Sequence, residues 1–349
     1  MSGRVWGILT DGYLTERNAK TAHGVLRYSH DEVAAVIDAR HAGSFTVAVV
    51  PEVIRDVPIV KTWEEARDLG ADSLLLGVAT PGGWMPEHWR SWILDALTGG
   101  YEVVNGLHSF LSDDPEIVAA ASVSGARLWD VRKPPSDIPL FTGKSLEAPQ
   151  RIALTVGSDC AVGKKSTALE LTAAAIAAGT KAEFVATGQT GVMIAGKGIV
   201  IDRVASDFAA GAAEQLILGA EDRSKVLIVE GQGSLWHPAY SGVTLSLLHG
   251  SVPHALVMCH QVGRAAIEEP PFTRLPELEE MIEGYERMAR TVRPARVACI
   301  SLNLQGLAPD EARAAIEATE ERTGLPCGDV FAGDATKLWA ALAPLMEAH

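Results

Sequence analysis

The stretch Gly157-Ser158-Asp159-Cys160-Ala161-Val162-Gly163-Lys164-Lys165-Ser166-Thr167 constrains this chain more than any other part of it. An apolar run, Arg151 to Val156, precedes it and reads as a strand; a helical pattern, Lys165 to Ala178, follows. A phosphate needs several converging N–H donors and a positive charge. A glycine-rich turn between strand and helix supplies the first, and an adjacent lysine the second. The bland alternative is a plain strand-to-helix turn with solvated lysines. The strand before, the helix after and the two flanking glycines favour phosphate binding.

The loop departs from the G-x-x-x-x-G-K-[ST] pattern, because five residues separate Gly157 from Gly163 and Lys165 stands where Ser or Thr is expected. Ser166 and Thr167 come one place late. The hydroxyl after the lysine ordinarily ligates the magnesium that bridges nucleotide phosphates. A second lysine there can instead neutralise phosphate directly.

Alternation of strands and helices continues after the loop, which predicts a doubly wound parallel sheet with ligands at the strand carboxyl ends. Further strands are read at 182–186, 226–229, 254–258, 297–302 and 328–331, and helices at 208–218, 276–290, 309–323 and 334–346. Thr187-Gly188-Gln189-Thr190-Gly191 closes one strand and can approach a ligand, with Gln189 and Thr190 as candidate substrate contacts; an ordinary turn is the other reading. Leu227 to Gly233 is an apolar strand ending in Glu230, where a Walker B carboxylate would hold metal or act as a general base. His237 and His260 follow strands and can serve proton transfer. Arg264 can pair with a substrate carboxylate or form a salt bridge, and Arg203 lies in the polar cluster Asp202-Arg203 and Asp207. Asp207 is placed to cap a helix.

The first half repeats the alternation, with strands read at 33–37, 46–50, 73–79, 102–105 and 126–131. Thr62 is placed to cap a helix from Trp63 to Leu69, with Glu65 in the acidic position of a capping box. Another helix is read over 86–97, and the spacing of Trp84, Trp89 and Trp92 predicts packing on a helical face. Asp38, Pro81-Gly82-Gly83 and Asn105-Gly106 fall at strand ends. No G-x-G-x-x-G precedes a helix, so dinucleotide binding is not expected although the pattern is Rossmann-like. A proline-rich, non-periodic stretch then separates the halves. The expected division is residues 1–135, a linker over 136–150, and 151–349: an α/β protein of two doubly wound domains, the first Rossmann-like, the second P-loop NTPase-like.

Composition narrows the partners. A formal net charge of −14 over 349 residues, with no basic cluster, disfavours nucleic acid and anionic lipid and favours a small-molecule substrate. No apolar stretch is long enough to span a membrane. The four cysteines lack C-x-x-C spacing, and reduced thiols in a cytoplasm are the simplest expectation. A homo-oligomer is a base-rate expectation.

The combination of Arg132-Lys133-Pro134-Pro135, the double-lysine loop and Thr187 to Gly191 resembles the DUF1611 family, over essentially the whole chain. Its characterised activity is D-glutamate N-acetyltransferase. The resemblance implies an N-terminal Rossmann-like domain and a C-terminal P-loop domain. It also implies acetyl-CoA as co-substrate with its phosphates on Gly157 to Thr167 and its thioester near Glu230, and an amino acid, D-glutamate, as acceptor; with Lys165 in the hydroxyl's place, no metal site is expected. The amine must lose a proton before attacking the thioester; Glu230 is the first candidate base and His260 the second. Arg264, Arg203 and Lys165 are available for the acceptor's carboxylates. The loop is also similar to that of dethiobiotin synthetase. That implies the alternative of an ATP and magnesium-dependent ligase or kinase, with Lys164 on phosphate and Ser166 or Thr167 and Glu230 on the metal. A nucleotide-sensing protein without turnover is a third class.

Overall fold

The computed structural model describes residues 3–221, 223–268 and 273–347. The chain divides into two compact units, one of residues 1–134 with 192–200, the other of 135–191 with 201–349.

The first unit holds a six-stranded parallel sheet of β1 (Val5–Leu9), β2 (Glu32–Ile37), β3 (Ile59–Val60), β4 (Ser73–Leu76), β5 (Glu102–Asn105) and β6 (Leu128–Asp130). Its order, β3-β2-β1-β4-β5-β6, is the Rossmann order. The helices are α1 (Lys20–Tyr28), α2 (Thr46–Val49), α3 (Trp63–Asp68), α4 (Trp89–Thr98) and α5 (Pro115–Ser124). The core packs Trp63 and Ala66 of α3 and Trp89, Ile93 and Leu97 of α4 against Leu9, Ile37, Leu74 and Leu76 of the strands.

The second unit holds another six-stranded parallel sheet, β7 (Arg151–Gly157), β8 (Ala182–Val185), β9 (Val226–Val229), β10 (Ala255–Gln261), β11 (Arg296–Asn303) and β12 (Cys327–Gly328), in the order β12-β11-β10-β7-β9-β8. Its helices are α6 (Lys164–Ala177), α8 (Ser206–Leu218), α9 (Ser241–Ser251), α10 (Leu278–Ala289), α11 (Pro309–Thr323) and α12 (Ala335–Leu342), while α7 (Gln189–Ala195) is divided between the two units at Val192. The central strand β7 delivers the phosphate loop to the start of α6.

Several local expectations change. The segment read as a strand at 46–50 is the short helix α2, because Thr46 closes a turn: its Oγ1 donates to Arg55 O at 2.6 Å and accepts from Val57 N at 2.9 Å. The last expected strand, 328–331, stops at Gly328, since the Asp329 carboxylate accepts Phe331 N at 2.8 Å and turns the chain into a 3₁₀ helix. Thr62 does cap α3, accepting Glu65 N at 3.2 Å, while the Glu65 carboxylate reaches back to Lys61 N at 2.7 Å. Asp207 caps nothing. Ala205 holds the N-cap position of α8, and Asp207 is an acid in its first turn, where it complements the helix dipole. Trp84 lies outside α4 and is 71 % exposed, so only Trp89 and Trp92 share that helix. The proline-rich stretch 136–150 is tied down on α8, where Glu214 accepts from Thr142 N and Oγ1, both at 2.8 Å, and from Ser145 N at 3.1 Å.

At the carboxyl edge of the first sheet the polar groups bond to one another. Asp38 directly follows β2 and is buried; one carboxylate oxygen accepts Thr10 Oγ1 at 2.9 Å, Gly12 N at 3.0 Å and Leu14 N at 3.2 Å. The other accepts Arg40 N and lies against His41 Nδ1, both at 3.1 Å. This acid, where a Rossmann domain would hold a ribose, ties down the loop after β1. Asn105 likewise donates to Asp130 at 2.7 Å and to Ser109 O at 2.8 Å.

Candidate phosphate-binding site

The loop after β7 is wound by its own side chains. Ala161 adopts a left-handed φ of 55° and Gly163, which caps α6, a φ of 109°. Lys164, the first residue of α6, is buried and folds back to donate from Nζ to Asp159 O at 2.6 Å. Burial pushes its ammonium down from the ordinary lysine value.

Three braces hold the loop open from outside. The Asp159 carboxylate, fully buried, accepts Cys160 N at 2.6 Å, Glu268 N at 3.0 Å and the Arg264 guanidinium at 2.6 Å. Tyr285 of α10 donates to Gly157 O at 2.7 Å and receives Leu235 N at 3.3 Å; burial pushes its phenol up to about 12, so it remains a donor. Ser158 Oγ lies 3.0 Å from His260 Nδ1, and Ser234 Oγ donates to Ser158 O at 2.9 Å. Arg264, read as pairing with a substrate carboxylate or in a salt bridge, forms the salt bridge, to Asp159 of the loop. Burial, with Arg264 and Arg322 nearby, lowers His260 to about 4, so it is a neutral imidazole at pH 7.

Glu230 follows β9 and is buried beside the loop. One oxygen accepts Thr187 N and Gly188 N, each at 3.0 Å, while Thr187 Oγ1 donates to Glu230 O at 2.6 Å. Burial pushes its carboxyl up, opposed by those amides and by the charge of Lys165. The glycines of Thr187 to Gly191 have their explanation here: a Cβ on Gly191 would stand 2.3 Å from the Glu230 carboxylate. That segment approaches Glu230 closely. Gln189 and Thr190 open α7, Thr190 buried and Gln189 half-buried. Gly231 is required as well, since its Cβ would lie 1.7 Å from Thr155 O.

The site thus gathers Gly157 to Thr167, Glu230 and His260 on one edge of the second sheet. Arg203 is exposed on a 3₁₀ turn whose first residue, Ile201, donates its N–H to Thr187 O at 3.0 Å. His237 is buried near Asp159 and Cys160, their ligand-type atoms within 4.8 Å of one another. Tyr285 and Asp159's partnership with Arg264 were not foreseen, and no local sequence signal announces contacts formed across 128 and 105 residues.

Two family descriptions match this chain. A domain of unknown function described as the DUF1611 P-loop domain covers residues 139–339, and a DUF1611 Rossmann-like domain covers 39–134. The chain belongs to the DUF1611 family. A protein of Tritonibacter scottomollicae named D-glutamate N-acetyltransferase is 41 % identical over 81 % of this chain and 84 % of its own length. One of the same name from Pseudoalteromonas sp. is 39 % identical over 76 % of this chain and 79 % of its own. The crystal structure of a DUF1611 family protein from Anabaena variabilis superposes with a TM-score of 0.92 at 39 % identity, covering 98 % of this chain and all of that one. No helix among the described residues is long and apolar enough to cross a membrane.

Proposed function

We propose that this enzyme is a D-glutamate N-acetyltransferase that takes its acetyl group from acetyl-CoA. The relatives carrying that activity in their names, near 40 % identity over most of both chains, support the reaction. The observation that supports a CoA thioester as donor is the phosphate loop with one buried lysine, Lys164, and a second, Lys165, directly after it.

In this reading the diphosphate of CoA sits in the loop amides and displaces Lys164 Nζ from Asp159 O. The acceptor's amine attacks the thioester carbonyl; the N–C bond forms, the C–S bond breaks, and CoA leaves as a thiolate that takes up a proton. The amine's own proton must go to a base. Glu230, whose raised pKa makes it a stronger base than a surface carboxylate, is the first candidate, and His260 the second. The pantetheine arm matters here: extended, it matches roughly four residues, or about 14 Å. Both candidates border the loop, so each reaches the thioester only if the arm folds back over the edge of the sheet. A Glu230→Gln variant that keeps acetyl-CoA affinity and loses kcat places Glu230 at the chemistry; one that loses affinity makes it a support of the loop.

The reading is tested by incubating the protein with acetyl-CoA and, separately, D-glutamate, L-glutamate and D-aspartate, following thiol release and product mass. The expected result is an acetyl adduct on D-glutamate, equimolar with CoA released. Turnover that requires ATP and magnesium, without CoA release, overturns it.

A further inference from the structure

The fold family brings a divalent cation with its phosphate loop, held by the hydroxyl that follows the lysine and by an acid after a neighbouring strand. The residues of this chain do not fit that cation. Successive residues of a helix are rotated by about 100°, so the direction a metal ligand would take from the second position of α6 belongs to Lys165 alone. Ser166 is turned away by one such step. Thr167 is turned by two; it is fully buried, and its Oγ1 pairs with Ser301 Oγ at 2.8 Å. On the other side, one Glu230 oxygen already accepts two backbone amides, and the charge of Lys165 acts on the carboxylate. Among the described residues, the one group of three His, Cys, Asp or Glu side chains near enough to share an ion is Asp159, Cys160 and His237. It excludes Glu230 and offers a hard cation little: the Asp159 carboxylate already accepts Arg264, and the thiol is a soft ligand. His237 Nδ1 is already engaged, accepting Ala239 N at 3.2 Å.

We infer that this loop binds a diphosphate without any divalent cation, the Lys165 ammonium standing in the cation's place and Glu230 acting as the counter-ion that holds it there. The two lysines then divide the work, Lys164 reaching the anion from within the loop and Lys165 from the rim. The ligand class follows from the charge balance. A diphosphate diester such as that of CoA, with one charge per phosphate, is matched by two ammonium groups and the amides. A nucleoside triphosphate carries more charge, concentrated on its terminal phosphate, and calls for a metal. The inference concerns the same loop as the proposed function, yet it does not depend on acetyl transfer.

Calorimetry on the full chain tests it, with CoA and inorganic pyrophosphate as probes, each in EDTA and in excess magnesium. Wild type is expected to bind CoA with an affinity that changes less than threefold between the two conditions. Lys165→Thr, which restores a hydroxyl at the metal position, is expected to bind at least tenfold more weakly in EDTA and to regain affinity with magnesium. Lys165→Arg, which keeps the charge, controls for folding and is expected to retain metal-free binding. Pyrophosphate binding in EDTA without CoA binding would preserve this inference while removing the acetyl-CoA reading. A wild-type affinity that rises tenfold or more with magnesium, a Lys165→Thr variant unaffected in EDTA, or failure of both probes to bind in EDTA would overturn it.

Discussion

The two sheets of this protein share a parallel, doubly wound plan and differ in what stands at their carboxyl edges. In the first, Asp38 occupies the position from which a Rossmann domain holds a ribose, yet five donors of its own chain surround it. In the second, Lys164 is buried with its Nζ donating to Asp159 O, and the charge of Lys165 acts on the buried Glu230. A doubly wound sheet offers a crevice at its strand ends in either case. What sets the second edge apart is a pair of successive lysines in the first turn of α6, after a glycine-rich loop. The second edge is the proposed site.

Breaking the second edge at its backbone is expected to have the largest effect. In Gly231→Ala the new methyl would meet Thr155 O at 1.7 Å, a contact with backbone that cannot swing aside. A stability loss of about 3 kcal/mol or more is expected by urea denaturation. A wild-type midpoint would show that the strand end yields freely, contrary to the rigid frame described here.

Next come two charge changes that set the edges against each other. Lys164→Ala is expected to weaken acetyl-CoA binding by about 30- to 100-fold, corresponding to the roughly 2–3 kcal/mol of charge-assisted hydrogen bonds to phosphate. Asp38→Asn, in the other sheet, is expected to lower stability by about 1–2 kcal/mol through its lost acceptor capacity and to leave acetyl-CoA affinity within twofold. An Asp38→Asn variant of unchanged stability and poor affinity would move the nucleotide site to the first sheet.

The mildest effect is a pH dependence carried by the second unit. Burial lowers both His254 and His260 from the ordinary 6.5 to about 4. A histidine held neutral in the fold takes up its proton more readily when unfolded. These two therefore contribute stability that is complete above pH 6.5 and is lost as pH falls toward 4. Urea midpoints measured across that window should decline, and replacing His260 with glutamine should flatten part of the decline. A midpoint independent of His260 in that range would contradict the buried neutral imidazole.

The phosphate loop was legible because its parts are contiguous: strand, glycines, lysines and helix follow one another within a single short segment. Glu230 was legible for a similar reason, as an acid closing an apolar strand. The supports of the site were not, because Asp159 meets Arg264 and Gly157 meets Tyr285 only after the sheet has brought distant segments together. Arg264 could be read as pairing in a salt bridge, but an isolated arginine after a strand gives no sign that its partner is the loop itself. In the first sheet β1 escaped notice because Gly7 interrupts its apolar run. The glycine is needed, since a Cβ there would stand 2.8 Å from the Trp63 ring. The helix at 46–50 was hidden by the β-branched Thr46-Val47, whose strand preference yields to the turn that Thr46 closes with Arg55 and Val57.

The comparison of the two edges rests on where acetyl-CoA binds, and a titration of acetyl-CoA into wild type, Lys164→Ala and Asp38→Asn measures that directly. One site per chain in wild type, retained in Asp38→Asn and nearly abolished in Lys164→Ala, is the predicted result. Unchanged binding in Lys164→Ala would contradict the account at its centre.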